Sequence, residues 1–260
     1  MPEGQSEEMW HRRASSFGSS AAEYADHRPD YAVAAVGWVL AGAQGVVGTV
    51  LDLGAGTGAL TGTLLTCGVE VTAVDPDPLM LVELQARHPA ARAVVGAAEA
   101  LPLGDASVDA VLVATAFHWF DRDRALPEIA RVLRLGGVLG TLYNHTDESV
   151  AWVAELGELS RTSASSERRP DDERQWPPPV ADGVFGDWEE QGFPHSHGRT
   201  AESLTTTIGT HSHTRVVSEK ERAATLHRVR RFLDARPETS RGEFEVPLST
   251  VASRALRLNA

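Results

Sequence analysis

The chain has 260 residues, 42% of them hydrophobic, and a formal net charge of −12 at pH 7. That length and apolar content suit one large domain or a domain with a cap, and the acidic balance argues against nucleic-acid backbone or an anionic membrane as main partner. Cys67 is the only cysteine, which excludes an intrachain disulfide and a cysteine metal cluster.

In chain order, residues 1–16 read as a flexible tail. The segment Met1 to Arg13 is polar and lacks the apolar core of a signal peptide. The longest apolar stretch, Val33 to Ala43, is too short to span a bilayer. A cytoplasmic protein is therefore expected. Pro29 suits the first turn of a helix running to about Leu40, with Tyr24 and Arg28 just before it. Spacing alone leaves these two open between a ligand role and a surface aromatic with a solvated charge.

The run Val50-Leu51-Asp52-Leu53-Gly54-Ala55-Gly56-Thr57-Gly58 predicts a buried strand, about Thr49 to Leu53, breaking into a tight turn that opens a helix from about Ala59 to Cys67. Glycine there permits backbone angles that a Cβ forbids and lets a ligand lie against the main chain. The helix N-terminus offers free N–H groups to that ligand. The spacing is G-x-G-x-G, one position short of the dinucleotide fingerprint, and a turn without any ligand has the same local pattern.

A second strand, Glu70 to Val74, ends at Asp75-Pro76. A carboxylate about 20 residues past the glycine loop, at a strand end, can accept both ribose hydroxyls. The alternative is a cap for the helix Pro78 to His88. A third strand, Ala93 to Val95, leads into Gly96-Ala97-Ala98-Glu99-Ala100-Leu101-Pro102. Ser107 to Val113 is a fourth, ending in Thr115-Ala116-Phe117-His118-Trp119-Phe120. A helix from about Arg124 to Leu133 follows, stopped by Gly136-Gly137, and Val138 to Tyr143 is a fifth strand. Strand and helix alternate, so an α/β, doubly wound, mostly parallel sheet is expected. Ligands bind such sheets beyond the carboxyl ends of the strands, where Gly54, Asp75, Ala98, Thr115 and Asn144 all fall.

Farther on, Arg161 to Pro179 reads as a loop or linker rich in charge, Ser and Pro. Trp188 to His197 reads as a strand, Ala201 to Thr210 as a helix and Glu243 to Ala255 as the final strand. Glu219 to Arg236 is an amphipathic helix with Ala223, Leu226, Val229 and Leu233 on its apolar face and Arg228, Arg230 and Arg231 on a solvated one. His195, His197, His211 and His213 form two H-x-H pairs. Alternate residues on a strand share a face, as a metal site needs, but no carboxylate or cysteine joins them at regular spacing. No metal is expected, and these histidines read as strand or substrate-cavity residues.

The segments V-L-D-L-G-A-G-T-G, A-V-D-P, G-A-A-E-A-L-P-L, S-V-D-A-V, A-F-H-W-F and R-V-L-R-L-G-G, in that order, resemble class I S-adenosylmethionine-dependent methyltransferases. The resemblance runs from about Phe17 to Asn144. Within the class it is nearest the ubiquinone/menaquinone-type and trans-aconitate-type small-molecule methyltransferases. It implies a seven-stranded Rossmann-like sheet whose last strand is antiparallel. The implied organisation is a single domain over 17–260: an N-terminal cap helix (17–45), a cofactor-binding core (46–146), and a substrate cap, variable loop and final strands (147–260). The implied cofactor is S-adenosyl-L-methionine, leaving as S-adenosyl-L-homocysteine. Gly54, Ala55, Gly56 and Gly58 would lie against its methionine and ribose parts, with Asp52 supporting the loop. Asp75, with Pro76 beside it, would take the ribose hydroxyls. Ala97, Ala98 and Glu99 would border the adenine, Thr115 the methionine portion, and Tyr24 and Arg28 the cofactor carboxylate.

The sequence departs from the family pattern at Ala97, where many relatives carry Asp, and at Leu135, the usual proline of R-V-L-R-P-G-G. The implied acceptor is a small molecule, with His118, Trp119 and Asn144 in its pocket. His118 is the candidate general base, weighed against a structural role in its turn; Trp119 and Phe120 line the cavity or pack. A monomer or homodimer is expected. Alternative readings of the same fold are a non-catalytic cofactor-binding or regulatory protein, and an NAD-dependent oxidoreductase, against which the early third glycine argues.

Overall fold

A computed structural model describes residues 29–166, 183–211, 214 and 216–258. Among these residues the strands are β1 (Thr49–Leu53), β2 (Glu70–Asp75), β3 (Arg92–Val95), β4 (Val108–Ala114), β5 (Leu133–Thr146), β6 (Glu189–Thr200) and β7 (Glu243–Leu256). The helices are α1 (Val33–Leu40), α2 (Ala59–Thr66), α3 (Pro78–Arg87), α4 (Arg122–Val132), α5 (Ala151–Ser160), α6 (Ala201–Thr210) and α7 (Glu219–Asp234). The strands form one sheet in the order β3-β2-β1-β4-β5-β7-β6. β1 to β5 pair in parallel and β7 is antiparallel.

Backbone proximity divides the chain into two compact units. The first takes the described residues of Met1–Tyr143, Pro179–Phe193 and Val251–Ala260; the second takes those of Asn144–Pro178 and Pro194–Thr250. In the first, the central strands β1 and β4 and most of β2 are apolar runs buried on both faces, as parallel sheets require: Leu51, Ala73, Val111 and Leu112 are fully buried. Helices α1 to α3 close over them through Val36, Val39, Leu60, Leu64 and Leu84. In the second, Leu204, Ile208, Val229, Leu233, Phe244, Val246 and Leu248 form a separate cluster.

Local chemistry sets the element ends. Asp77 caps α3 by accepting from the Leu79 N–H at 2.9 Å, with Pro78 at the first helical position. Thr200 and Ser203 form a reciprocal capping box on α6. Ser218 caps α7.

Several details differ from expectation, among them α5, a helix the sequence reading does not anticipate. Pro29 precedes α1 rather than starting it: residues 29–32 run without helix, held where the Tyr31 carbonyl accepts from Thr63 Oγ1. Gly136 and Gly137 do not stop α4, which ends at Val132; they lie inside β5, which is longer than expected at both ends. The β4–β5 register slips between Val108 and Ala110. Gly136 adopts φ 73° in that bulge, and a Cβ on Gly137 would sit 2.8 Å from the carbonyl oxygens of Arg134 and Asp109. On α7 Ala223 is exposed and Thr225 takes the buried position. Leu135 is also exposed.

Candidate functional site

At the carboxyl end of β1 the chain turns through three left-handed glycines: Gly54 (φ 71°), Gly56 (φ 54°) and Gly58 (φ 94°). Each is required for a different reason. A Cβ on Gly54 would lie 2.6 Å from Ala116 Cβ, so the loop packs tightly on the end of β4. A Cβ on Gly58 would lie 2.7 Å from His88 Cδ2. Among the described residues a Cβ on Gly56 would meet nothing within 4 Å, so with respect to them that glycine opens outward. The loop is tied to β2 by the Gly54 and Ala55 N–H groups, which donate to the Val74 carbonyl at 2.8 and 3.1 Å.

Two carboxylates sit beneath this loop. Asp75 accepts from the Gly56 N–H through Oδ2 at 2.8 Å and from the Asp77 N–H through Oδ1 at 2.9 Å. Each oxygen keeps a second lone pair. The helix-cap alternative for Asp75 does not hold, since Asp77 fills that place. Burial pushes the Asp75 carboxyl above the usual range, with the two N–H donors opposing. Asp52 is 1% exposed and accepts from Thr61 Oγ1 at 2.6 Å through Oδ2, while its buried Oδ1 has no partner among the described residues. Burial raises its pKa to about 7, Thr61 opposing and Asp75 adding to the effect.

Thr115, at the end of β4, holds φ 53°, a costly conformation for a β-branched residue and one that concentrates at ligand sites. Its N–H donates to the Leu142 carbonyl, and its Oγ1 lies 2.9 Å from the Tyr31 hydroxyl. Ala98 is buried, Ala97 pairs with Ala100 in a small bridge, and Pro76 is exposed. Glu99 has a role the spacing did not suggest: its Oε1 accepts from the Asp121 N–H just ahead of α4. Farther along that loop, Glu128 accepts from the Leu101 N–H, and Arg131 donates to the Leu101 and Leu103 carbonyls and to Asp105. This α4 clamp on the loop, and the Thr61 and Tyr31 hydroxyls, were missed in the sequence. The only hint is that Arg131 opens R-V-L-R-L-G-G.

Phe117-His118-Trp119 forms a 3-10 turn. Phe117 is fully buried, and Phe120 packs on it at a 5.6 Å centroid distance. His118 is exposed, its Nδ1 3.2 Å from the Tyr143 hydroxyl and its ring 4.8 Å from the half-exposed Trp119. The structure therefore brings together Asp52, Gly54, Ala55, Gly56, Gly58 and Asp75. Asn144 belongs to the second unit, where its Oδ1 accepts from Thr250 Oγ1 at 2.6 Å and lies 3.2 Å from His195 Nε2. Tyr24, Arg28 and His213 lie outside the described residues.

A family model for a methyltransferase domain matches residues 51–141, from β1 through the middle of β5. An uncharacterized methyltransferase of Mycobacterium tuberculosis is 41% identical over 241 residues, 92% of this chain and 95% of that protein. The chain belongs to the class I S-adenosylmethionine-dependent methyltransferases. A second methyltransferase-like protein, of Schizosaccharomyces pombe, is 32% identical over 80% of this chain and 81% of its own length. A solved structure of a candidate type II methyltransferase from Anaeromyxobacter dehalogenans superposes with a TM-score of 0.67 at 26% identity, covering 90% of this chain and 99% of that one. In this methyltransferase the residues matched by the family model hold the glycine loop and both buried carboxylates, whereas Asn144, His195 and Thr250 fall outside the match.

Proposed function

We propose that this methyltransferase binds S-adenosylmethionine at the carboxyl end of β1, β2 and β4 and transfers its methyl group to a small-molecule acceptor. The observation that carries the reading is the pairing of an outward-opening Gly56 with buried carboxylates beneath it. Three features fit the cofactor. The space beside Gly56 is one a Cβ would fill. Asp75 keeps one lone pair on each oxygen beyond its two backbone partners, which suits a pair of ribose hydroxyls. Asp52 carries a buried acceptor atom that has no partner among the described residues, which suits an ammonium group reached directly or through water.

When bound, S-adenosylmethionine supplies a methyl group already activated by its sulfonium. The protein's share is alignment, which can supply about 7–11 kcal/mol of a barrier. Ala97, Ala98 and Glu99 border the adenine in this reading. The α4 clamp fixes the loop that carries them, and Pro76 flanks the ribose site. Thr115 holds the chain in its strained turn next to the methionine portion. Tyr24 and Arg28 complete the site through the cofactor carboxylate. His118, paired with the Tyr143 hydroxyl, accepts a proton from acceptors that must lose one. Residues 147–260 select the acceptor, with Asn144 at their margin.

Isothermal titration with S-adenosylhomocysteine tests the reading. A single site with micromolar affinity is expected, whereas a folded protein that binds NADH and not S-adenosylhomocysteine overturns it.

A further inference from the structure

Helix α2 carries two glycines one turn apart, Gly58 at its N-cap and Gly62 inside it. Gly58 belongs to the cofactor loop, but nothing in that loop explains Gly62, and glycine in a helix interior is unfavourable relative to alanine. Both are explained by one side chain on a different element. His88, at the carboxyl end of α3, lays its imidazole across them: a Cβ on Gly58 would come 2.7 Å from His88 Cδ2, and one on Gly62 would come 2.8 Å from Cε1. His88 Nε2 faces both, 3.3 and 3.2 Å from those two positions. The Gly58 carbonyl accepts the Gly62 N–H at 2.9 Å, the first hydrogen bond of the helix, so the ring lies against the two residues that open it.

We propose that His88 is a positioning residue for the cofactor site: seated in the Gly58–Gly62 notch, it holds the third loop glycine and the first turn of α2 in the binding conformation, so cofactor affinity follows the state of this one imidazole. The proposal rests on the cofactor reading above. His88 touches no part of the opening beside Gly56 and acts only through Gly58 and α2.

Burial favours the neutral ring and lowers the His88 pKa from its usual value. The charged groups acting on it are Asp30, which opposes that shift, and Arg87, which adds to it; Leu84 supplies apolar contact from α3. The seat is therefore complete above the ordinary histidine range and is lost as the pH falls through the lowered value.

The test measures S-adenosylhomocysteine affinity by calorimetry and thermal stability in parallel, for the wild type, His88→Ala, His88→Gln, Gly62→Ala and the Gly62→Ala/His88→Ala pair. His88→Ala should weaken binding about fivefold or more near neutral pH. His88→Gln, which keeps a neutral polar side chain in the notch, should restore most of it. The gap between wild type and His88→Gln should close as the pH falls below the ordinary histidine range. Gly62→Ala alone should lower both affinity and stability by crowding the ring, and His88→Ala should relieve that loss. If the wild type binds but the His88 variants bind equally well while losing stability, His88 is a packing residue and this inference fails alone. If Gly62→Ala is harmless with His88 present, the notch is not what seats the ring and the inference also fails. If the folded wild type does not bind, the cofactor reading falls and carries this inference with it.

Discussion

Asp52 and Asp75, at the carboxyl ends of β1 and β2, contrast with Asp109, near the start of β4 on the opposite edge of the same parallel strands. Asp109 is saturated: it accepts from the Gly48 and Thr49 N–H groups, from Thr49 Oγ1 and from Arg134. Those donors outweigh burial and hold its pKa near 2. Asp52 and Asp75 have fewer partners and more burial, and their pKa values move the other way. One edge has its electrostatics satisfied within the protein, while the other keeps one buried acceptor, Asp52 Oδ1, without a partner among the described residues, together with a strained Thr115 and an open Gly56. An unsatisfied buried polar group costs stability, and in the proposed reading the cofactor supplies the partner Asp52 lacks.

The sharpest way to break this contrast is Gly54→Ala. The left-handed backbone and the 2.6 Å approach to Ala116 Cβ together predict a loss of about 2–5 kcal/mol in urea unfolding, with cofactor binding abolished. A variant as stable as wild type would show that the loop does not hold this conformation. Asp75→Ala comes next. It should weaken S-adenosylhomocysteine binding by about 1–3 kcal/mol, since in the proposed site the variant loses acceptors for the ribose, and it leaves the Gly56 and Asp77 N–H groups unpaired. Unchanged affinity in calorimetry would remove Asp75 from the site.

Asp52→Asn should separate stability from binding. The folded protein keeps a proton on Asp52 up to about pH 7 that the unfolded chain loses near 3.8. The stability linked to Asp52 is therefore complete below the lower value and is lost as the pH rises through the upper one. Asparagine removes that loss, so the variant should gain about 1–3 kcal/mol over the wild type above pH 7 and nothing at pH 4. Its cofactor affinity should fall. A variant less stable than wild type at pH 8 would mean that the Asp52 carboxylate is satisfied in a way its surroundings do not indicate.

The legibility of the chain divides along similar lines. β1 and α6 fall where period and punctuation put them, and the remaining strands and α7 differ by a few residues at their ends, because alternation, caps and apolar runs are local. Asp75 at a strand end was legible because strand ends are local too. Glycine was legible as a need for freedom but not as a choice between turn and helix stop: Gly136 and Gly137 stand in a strand bulge, which depends on the register against Asp109 on β4. Thr61, His88 and the structural role of Glu99 are hidden for the same reason. Their partners are Asp52, Asp121 and Gly58, separated from them in sequence and meeting only once helices pack on the sheet. The two H-x-H pairs look alike in the sequence, yet His195 meets Asn144 and Thr250, two residues its spacing gives no means to pair with it.

The smallest expected effect tests the satisfied edge. Arg134→Ala removes one of the donors to Asp109, and the Arg134 side chain is 47% exposed, so solvent screens much of the pair. The Gly48 and Thr49 donors remain. The cost at pH 7 should therefore stay within about 0.2–1 kcal/mol, and S-adenosylhomocysteine affinity should not move. Because the folded pKa of Asp109 lies below its unfolded value, its contribution is present above about pH 4 and is lost as the pH falls through about 2. The stabilities of wild type and Arg134→Ala should accordingly converge in acid. Asp109→Ala should cost more, because it strands two backbone N–H groups at the start of β1, and it too should spare the cofactor site. If either variant weakens cofactor binding as strongly as Asp75→Ala, the two edges are coupled through β1 and β4, and the division between a satisfied edge and a ligand-completed one does not hold.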